Sequence, residues 1–223
     1  MTIDFTPDAL FFDMDGTLLD TERVGSVAFA EITRGFGIAE NEAVAIYASL
    51  VGTSSASTRA RVVELIEGVD IDTFISDWHA AVARNMAEGV PLKPTVSETL
   101  SALTDRGMRM LVVTSTGGAR ARGHLEVAGL LHHFETVIGG DEVSANKPDP
   151  APYLEAAGRL GVDPGRTIAF EDSDHGVASA ITAGCVTVQI PDIRPAGSPL
   201  PALGQRISAN LASAIHGLGL LSQ

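Results

Sequence analysis

A strand that ends in two carboxylates constrains this chain more than any other feature. Ala9-Leu10-Phe11-Phe12 is an apolar run of the kind shown by a strand buried on both faces. Gly16 and Thr17 break the run, which puts Asp13 and Asp15 where the strand stops. In an open parallel sheet, ligands bind outside the carboxyl ends of the strands. Two acids crowded there repel each other unless a cation or a proton separates their roles. The alternative is a turn in which both side chains hydrogen-bond their own backbone, and a D-x-D-G turn alone does not decide between them.

Downstream the hydrophobic pattern changes period twice. From Asp20 to about Val90 it is helical: Thr21 to Gly35, Glu40 to Leu50, a third helix through Ala60, Val63 and Ile66, and a fourth from Ile71 to Glu88. Gly52-Thr53-Ser54-Ser55 is a loop, and Pro91 and Pro94 close the segment. Strands and helices then alternate, the signature of a parallel sheet covered on both faces. Strands are expected at Met110–Val113, Thr136–Gly139, Thr167–Phe170 and Cys185–Ile190, with a last strand-helix pair over Ile207–Leu218. Thr95-Val96-Ser97-Glu98 has the form of a capping box, and Asp149 precedes a helix with Pro150 in its first turn. The fold class is therefore α/β, a doubly wound Rossmann-like parallel sheet with an inserted helical bundle. The expected division is a core of 1–18 and 92–223 and a helical cap of 19–91.

At 223 residues the chain can bury a good core with such an insertion. Its formal charge of -13 repels nucleic acid and anionic membrane, so neither is an expected partner. An anionic substrate stays open if a metal and local cations reverse the field in the cleft. The single cysteine, Cys185, precludes an intrachain disulfide and sits in an apolar run as a buried, inert thiol. With no basic-then-apolar leader pattern and no apolar run of membrane-spanning length, a cytoplasmic protein is expected, as a monomer or weak homodimer.

Four polar clusters fall beyond the strands: Asp13/Asp15, Thr114/Ser115, Lys147 and Glu171/Asp172. Each has a plainer reading. Thr114 and Ser115 could cap the next helix, Lys147 could be a solvated lysine, and Glu171 with Asp172 could favour a helix start through the macrodipole. Their occurrence together, in this order, argues against coincidence. D-M-D-G-T-L-L-D-T-E with E-D-S-x-x-G resembles the haloacid dehalogenase-like hydrolases, in the group of capped phosphatases that includes β-phosphoglucomutase and phosphoglycolate phosphatase. The likeness covers nearly the whole chain and loosens after Pro191.

That resemblance implies an Mg²⁺-dependent phosphatase of a small phosphorylated metabolite. Asp13 would be the nucleophile, forming an aspartyl-phosphate, and Asp15 the general acid and then base. Asp13 and Asp172 with the backbone carbonyl of Asp15 would hold Mg²⁺, and Glu171 would be a ligand or an outer partner. Thr114 would hydrogen-bond the phosphoryl oxygens with the amides of Ser115 and Thr116, Lys147 would pair with Asp13, and Ser173 would orient the acid pair. His175 reads as an exposed helix residue. Cap candidates for substrate choice are Glu22, Thr53, Ser54, Arg59, His79, Arg84 and Asn85. Thr53 and Ser54 are favoured, because their loop resembles the family's cap specificity loop. Thr116-Gly117-Gly118 lacks the basic residue that relatives acting on bisphosphates often carry, which counts against a mutase. A phosphomutase is the alternative, a dehalogenase would have no need of Asp15, and a catalytically silent binding protein would have no need of clustered buried charge.

Overall fold

The computed structural model describes residues 3–51, 55–194 and 199–221. The chain forms two compact units, one from the described residues of Met1–Asp20, Leu92–Asp192 and Leu200–Gln223, the other from those of Thr21–Pro91 and Ile193–Pro199. The first carries β1 (Ala9–Phe12). The second holds α1 (Thr21–Thr33), α2 (Glu40–Leu50), α3 (Ser55–Leu65) and α4 (Ile71–Glu88). The first unit resumes with α5 (Val96–Asp105), β2 (Met110–Val113), α6 (Gly118–Val127), β3 (Thr136–Ile138), α7 (Ala151–Leu160), β4 (Thr167–Glu171), α8 (Asp174–Thr182), β5 (Val186–Gln189), β6 (Arg206–Ile207) and α9 (Leu211–Leu218). Among the described residues no helix is long and apolar enough to cross a membrane.

The six strands form one parallel sheet in the order β3-β2-β1-β4-β5-β6. The order reverses beside β1, so the crevice of a doubly wound sheet opens between β1 and β4. Apolar residues line both faces because helices cover both. Phe11 lies in register with Leu111 and Ala169, and packs in one cluster with Tyr153, Ala156 and Ala180 of α7 and α8. Phe12 points the other way, its ring centroid 5.0 Å from that of Phe170 and 5.9 Å from that of Phe134. The helical unit is held by rings instead. Phe29 is fully buried, with centroids 5.1 Å from Trp78, 5.6 Å from Phe74 and 6.0 Å from Tyr47.

Three details differ from the sequence reading. Thr95 does not cap α5: its backbone is left-handed (φ +68°), outside the extended geometry of a capping residue, and its hydroxyl accepts from the Ala212 amide at 3.2 Å instead. The expected boundary between residues 18 and 19 moves to 20/21. Leu19 bridges Leu92, and the Asp20 carboxylate lies 3.4 Å from Lys93 Nζ, which keeps both residues with the sheet. Glu171 is not in a loop but is the last residue of β4, in register with Gln189.

Candidate active site

The site is built at the ends of β1 and β4. The Asp13 amide donates to the Phe170 carbonyl at 2.9 Å, one more rung of the ladder, so the backbone holds Asp13 as firmly as a strand residue. Its side chain is 9% exposed. Oδ1 accepts from Lys147 Nζ at 2.6 Å, and Oδ2 is buried with no hydrogen-bond partner. Lys147 arrives on the loop between β3 and α7, well beyond the strand end where the sequence pattern put it. Its ammonium reaches Asp13 Oδ1 and Glu171 Oε1 at 2.6 Å each and donates to the Val113 carbonyl at 2.8 Å. Three acceptors meet the three donors an ammonium has.

Glu171 is fully buried and doubly held besides: Tyr153 Oη donates to Oε1 at 2.7 Å and Ser173 Oγ to Oε2 at 3.3 Å. Ser173 thus orients the glutamate, and the same oxygen caps α8 by accepting from the Gly176 amide at 3.0 Å. A Cβ at Gly176 would overlap the Glu171 carboxylate, so the glycine is required by that close approach. Asp172 follows, and oxygens of Asp13, Glu171 and Asp172 all lie within 4.8 Å of one another.

Three carboxylates share one neighbouring ammonium, and the electrostatics record the deficit. Burial raises the Asp13 carboxyl to about 8 against the pull of Lys147, with Glu171 and Asp15 adding to the rise. Burial likewise pushes Asp172 well above the usual carboxylate range, helped by the charges of Asp13 and Glu171. Lys147 is raised too: burial pulls its ammonium down, but the charges and hydrogen bonds of Asp13 and Glu171 outweigh that desolvation and keep it charged. Buried like charges with an orphaned oxygen suit a cation bound by oxygens.

Asp15 stands apart from that trio. Its Oδ2 accepts from Thr116 Oγ1 at 2.7 Å and Thr114 Oγ1 at 3.3 Å, and its carboxylate is not among the three acids clustered there. The Thr116 amide donates to Thr114 Oγ1 at 3.0 Å, and α6 begins only at Gly118, whose amide donates to Asp141 Oδ1 at 2.7 Å. The helix therefore starts later than Ser115 and Thr116, Thr116 brings its hydroxyl to Asp15, and Ser115 is exposed. Arg122, one of the nearest cations to this turn, is tied to Glu142 and donates to the Val137 carbonyl at 2.9 Å.

Thr53 and Ser54 lie outside the described residues. Three of the other candidates in the helical unit have structural partners: Glu22 accepts from Tyr47 Oη at 2.6 Å, Arg84 pairs with Glu31 at 2.6 Å, and Arg59 pairs with Asp72. Sequence reasoning missed Tyr153, whose spacing with Ala156 and Ala157 reads as plain core. It also missed Lys93 and Asp192, which pair at 2.6 Å. Asp192 opens a proline-rich stretch that reads as surface loop, yet its side chain is 9% exposed.

The family model of the haloacid dehalogenase-like hydrolases matches residues 10–190. The chain belongs to that family. Among its relatives, the protein CbbY of Rhodobacter capsulatus is 34% identical over 94% of this chain and 96% of its own length. The fructose-1-phosphate phosphatase YqaB of Escherichia coli is 32% identical over 81% of this chain and 95% of its own. A hydrolase of the same family from Deinococcus radiodurans, solved with bound phosphate and sodium, superposes with a TM-score of 0.82 at 27% identity, covering 98% of this chain and 99% of that one. The hydrolase is a phosphoric monoester hydrolase.

Proposed function

We propose that this hydrolase is an Mg²⁺-dependent phosphatase of a small phosphorylated sugar or a similar phosphomonoester, working through an aspartyl-phosphate on Asp13. The observation that carries the reading is the state of Asp13: one carboxylate oxygen is fixed by Lys147 at 2.6 Å, and the other is buried and unpartnered. A nucleophile needs such an oxygen, aimed by its neighbour and stripped of competing donors. Asp13 and Asp172, with the Asp15 carbonyl, are the residues that would hold Mg²⁺, and Glu171 would steady them from behind through Lys147. When bound, the cation would supply charge relief to the transferring phosphoryl group.

The chain's own residues do the rest. Asp13 Oδ2 attacks phosphorus as the bond from phosphorus to the sugar oxygen breaks. Asp15, held through Oδ2 by two threonine hydroxyls, gives a proton from Oδ1 to that leaving oxygen. A water then attacks phosphorus, Asp15 takes up its proton, the bond to Asp13 breaks and phosphate leaves. Lys147 balances the charge on Asp13 throughout. The helical unit is assigned the role of a cap that selects the substrate, and the relative named for fructose 1-phosphate supports a sugar phosphate. Hydrolysis is favoured over mutase chemistry because the Thr116-Gly117-Gly118 turn is uncharged and Arg122 is engaged by Glu142.

The test is a panel of sugar monophosphates with the purified protein. Inorganic phosphate should appear at every turnover, stop with a chelator, return with Mg²⁺ and be antagonised by Ca²⁺, whose looser coordination misplaces the nucleophile. Full activity after exhaustive chelation would remove the metal from the reading. Conversion of a hexose 1-phosphate to its 6-phosphate, with little phosphate released, would replace hydrolysis by mutase chemistry.

A further inference from the structure

Among the described residues, Asp192 is an acid near the site, its side chain largely buried, that the reaction just described does not use. It follows β5, and its side chain is 9% exposed. Oδ1 accepts from Lys93 Nζ at 2.6 Å, while Oδ2 is buried with no hydrogen-bond partner. Where Oδ2 points is fixed by Gly16, which follows Asp15 with a left-handed backbone (φ +85°). A Cβ on Gly16 would overlap Asp172 Oδ2 and come within 3.2 Å of Asp192 Oδ2. Both carboxylates therefore border the space that a side chain on Gly16 would fill. Asp192 is not among the three acids whose oxygens share a 4.8 Å cluster, so it stands one layer further out. An acceptor so placed, pinned by an ammonium on one oxygen and unsatisfied on the other, is suited to a water donor.

We infer that Asp192 is a positioning residue of the cation site: its Oδ2 accepts a hydrogen bond from a water carried by the cation that Asp13 and Asp172 hold, and Lys93 fixes the orientation of that acceptor. The inference rests on the metal reading above. Outer acceptors of this kind typically change metal affinity by roughly 10–100-fold when removed. Gly16 belongs to the same device, because only a residue without a side chain leaves room for the water beside the two acids.

The experiment is a titration of the full-length protein with Mn²⁺ alone, followed by electron paramagnetic resonance of the free ion, with the metal-free melting temperature of each variant recorded beside it. Asp172→Asn tests the underlying reading and should abolish tight uptake. Asp192→Asn should weaken Mn²⁺ binding by about 10–100-fold while its metal-free melting temperature stays near wild type. Asp20→Asn is the control: Asp20 also pairs with Lys93, at 3.4 Å, but does not flank Gly16, and Mn²⁺ affinity should be unchanged. If Asp192→Asn binds as wild type while Asp172→Asn does not bind, the inference fails and the metal reading stands. If Asp20→Asn weakens binding as much as Asp192→Asn, the effect runs through Lys93 rather than through Asp192 Oδ2, and the inference also fails. If the wild-type protein takes up no Mn²⁺, the metal reading falls and the role of Asp192 falls with it.

Discussion

The carboxyl end of the sheet and the core of the helical unit are both buried, and they are made of opposite materials. In the helical unit four rings, Phe29, Tyr47, Phe74 and Trp78, pack at tilted or edge-to-face angles, and their few polar atoms are satisfied locally: Tyr47 by Glu22, Trp78 Nε1 by the Gly25 carbonyl at 3.1 Å. At the sheet's end three carboxylates crowd one ammonium, and among the described residues two buried carboxylate oxygens, of Asp13 and Asp192, have no hydrogen-bond partner. Burial of apolar surface stabilises the first region, whereas burial of charge costs stability in the second unless something further binds there. Substitution should therefore separate the two: changes at the polar end should cost activity and little stability, and changes among the rings the reverse.

The largest effect is expected from Asp13→Asn. Turnover should fall by more than about 10⁴-fold, since the amide is a poor nucleophile of nearly the same shape. Stability should move the other way. Folding raises the Asp13 carboxyl from 3.8 to about 8, so between those values the unfolded chain has shed a proton that the folded chain keeps. That disfavours the metal-free fold increasingly as pH rises through the window. Under a chelator, the melting temperature of Asp13→Asn relative to wild type should therefore be higher at pH 8 than at pH 5. A variant that is both inactive and less stable at pH 8 would break the contrast between the two regions.

Asp15→Asn should lower turnover by roughly 10²–10⁴-fold, and less for esters whose leaving group needs no proton. A uniform loss across leaving groups would assign Asp15 to the scaffold instead. Phe29→Ala carries the test into the other region. Truncating this fully buried ring should cost about 3–5 kcal/mol. Chemical denaturation with a fluorescence readout of Trp78, whose ring lies 5.1 Å from Phe29, would measure it. A loss below about 1 kcal/mol would mean that the ring cluster is not what holds the unit.

The sequence displayed the parts of this arrangement that depend on local pattern. Ala9–Phe12 is a strand because four apolar residues in a row suit a doubly covered sheet, and Asp13 lies just past it for the same reason. What it hid depends on distant partners. Tyr153 looks like core until the fold brings Glu171 to its hydroxyl at 2.7 Å. Lys93 lies between Pro91 and Pro94, some hundred residues before Asp192 in sequence, and only the closing of β5 against β4 brings Asp192 to it. Thr95 shows the converse error. The capping-box pattern is present, but the turn before α5 needs a left-handed residue there, and the hydroxyl is spent on α9.

The smallest effect is expected at the amino end of the same sheet, where Cys185 shows what a buried ionisable group looks like without a site around it. It precedes β5, is 6% exposed, and its sulfur accepts from Thr167 Oγ1 at 3.2 Å. Burial raises the thiol from 9.0 to about 11, against the opposing pull of that hydrogen bond. Alkylation needs the thiolate, so iodoacetamide at pH 8 should label the chain readily in guanidinium and hardly at all when folded, as mass spectrometry would register. The stability consequence has a definite sign. Between pH 9 and pH 11 the unfolded chain loses the thiol proton and the folded chain keeps it, so the fold is disfavoured progressively across that window. Cys185→Ala leaves a small cavity and should melt below wild type at pH 7, with phosphatase turnover intact. That gap should narrow as pH rises from 9 to 11, because only the wild-type protein carries the buried thiol. Fast labelling of the folded protein at pH 7 would show a thiolate already formed at the apolar end of the sheet, and the division of chemistry between its two ends would not hold.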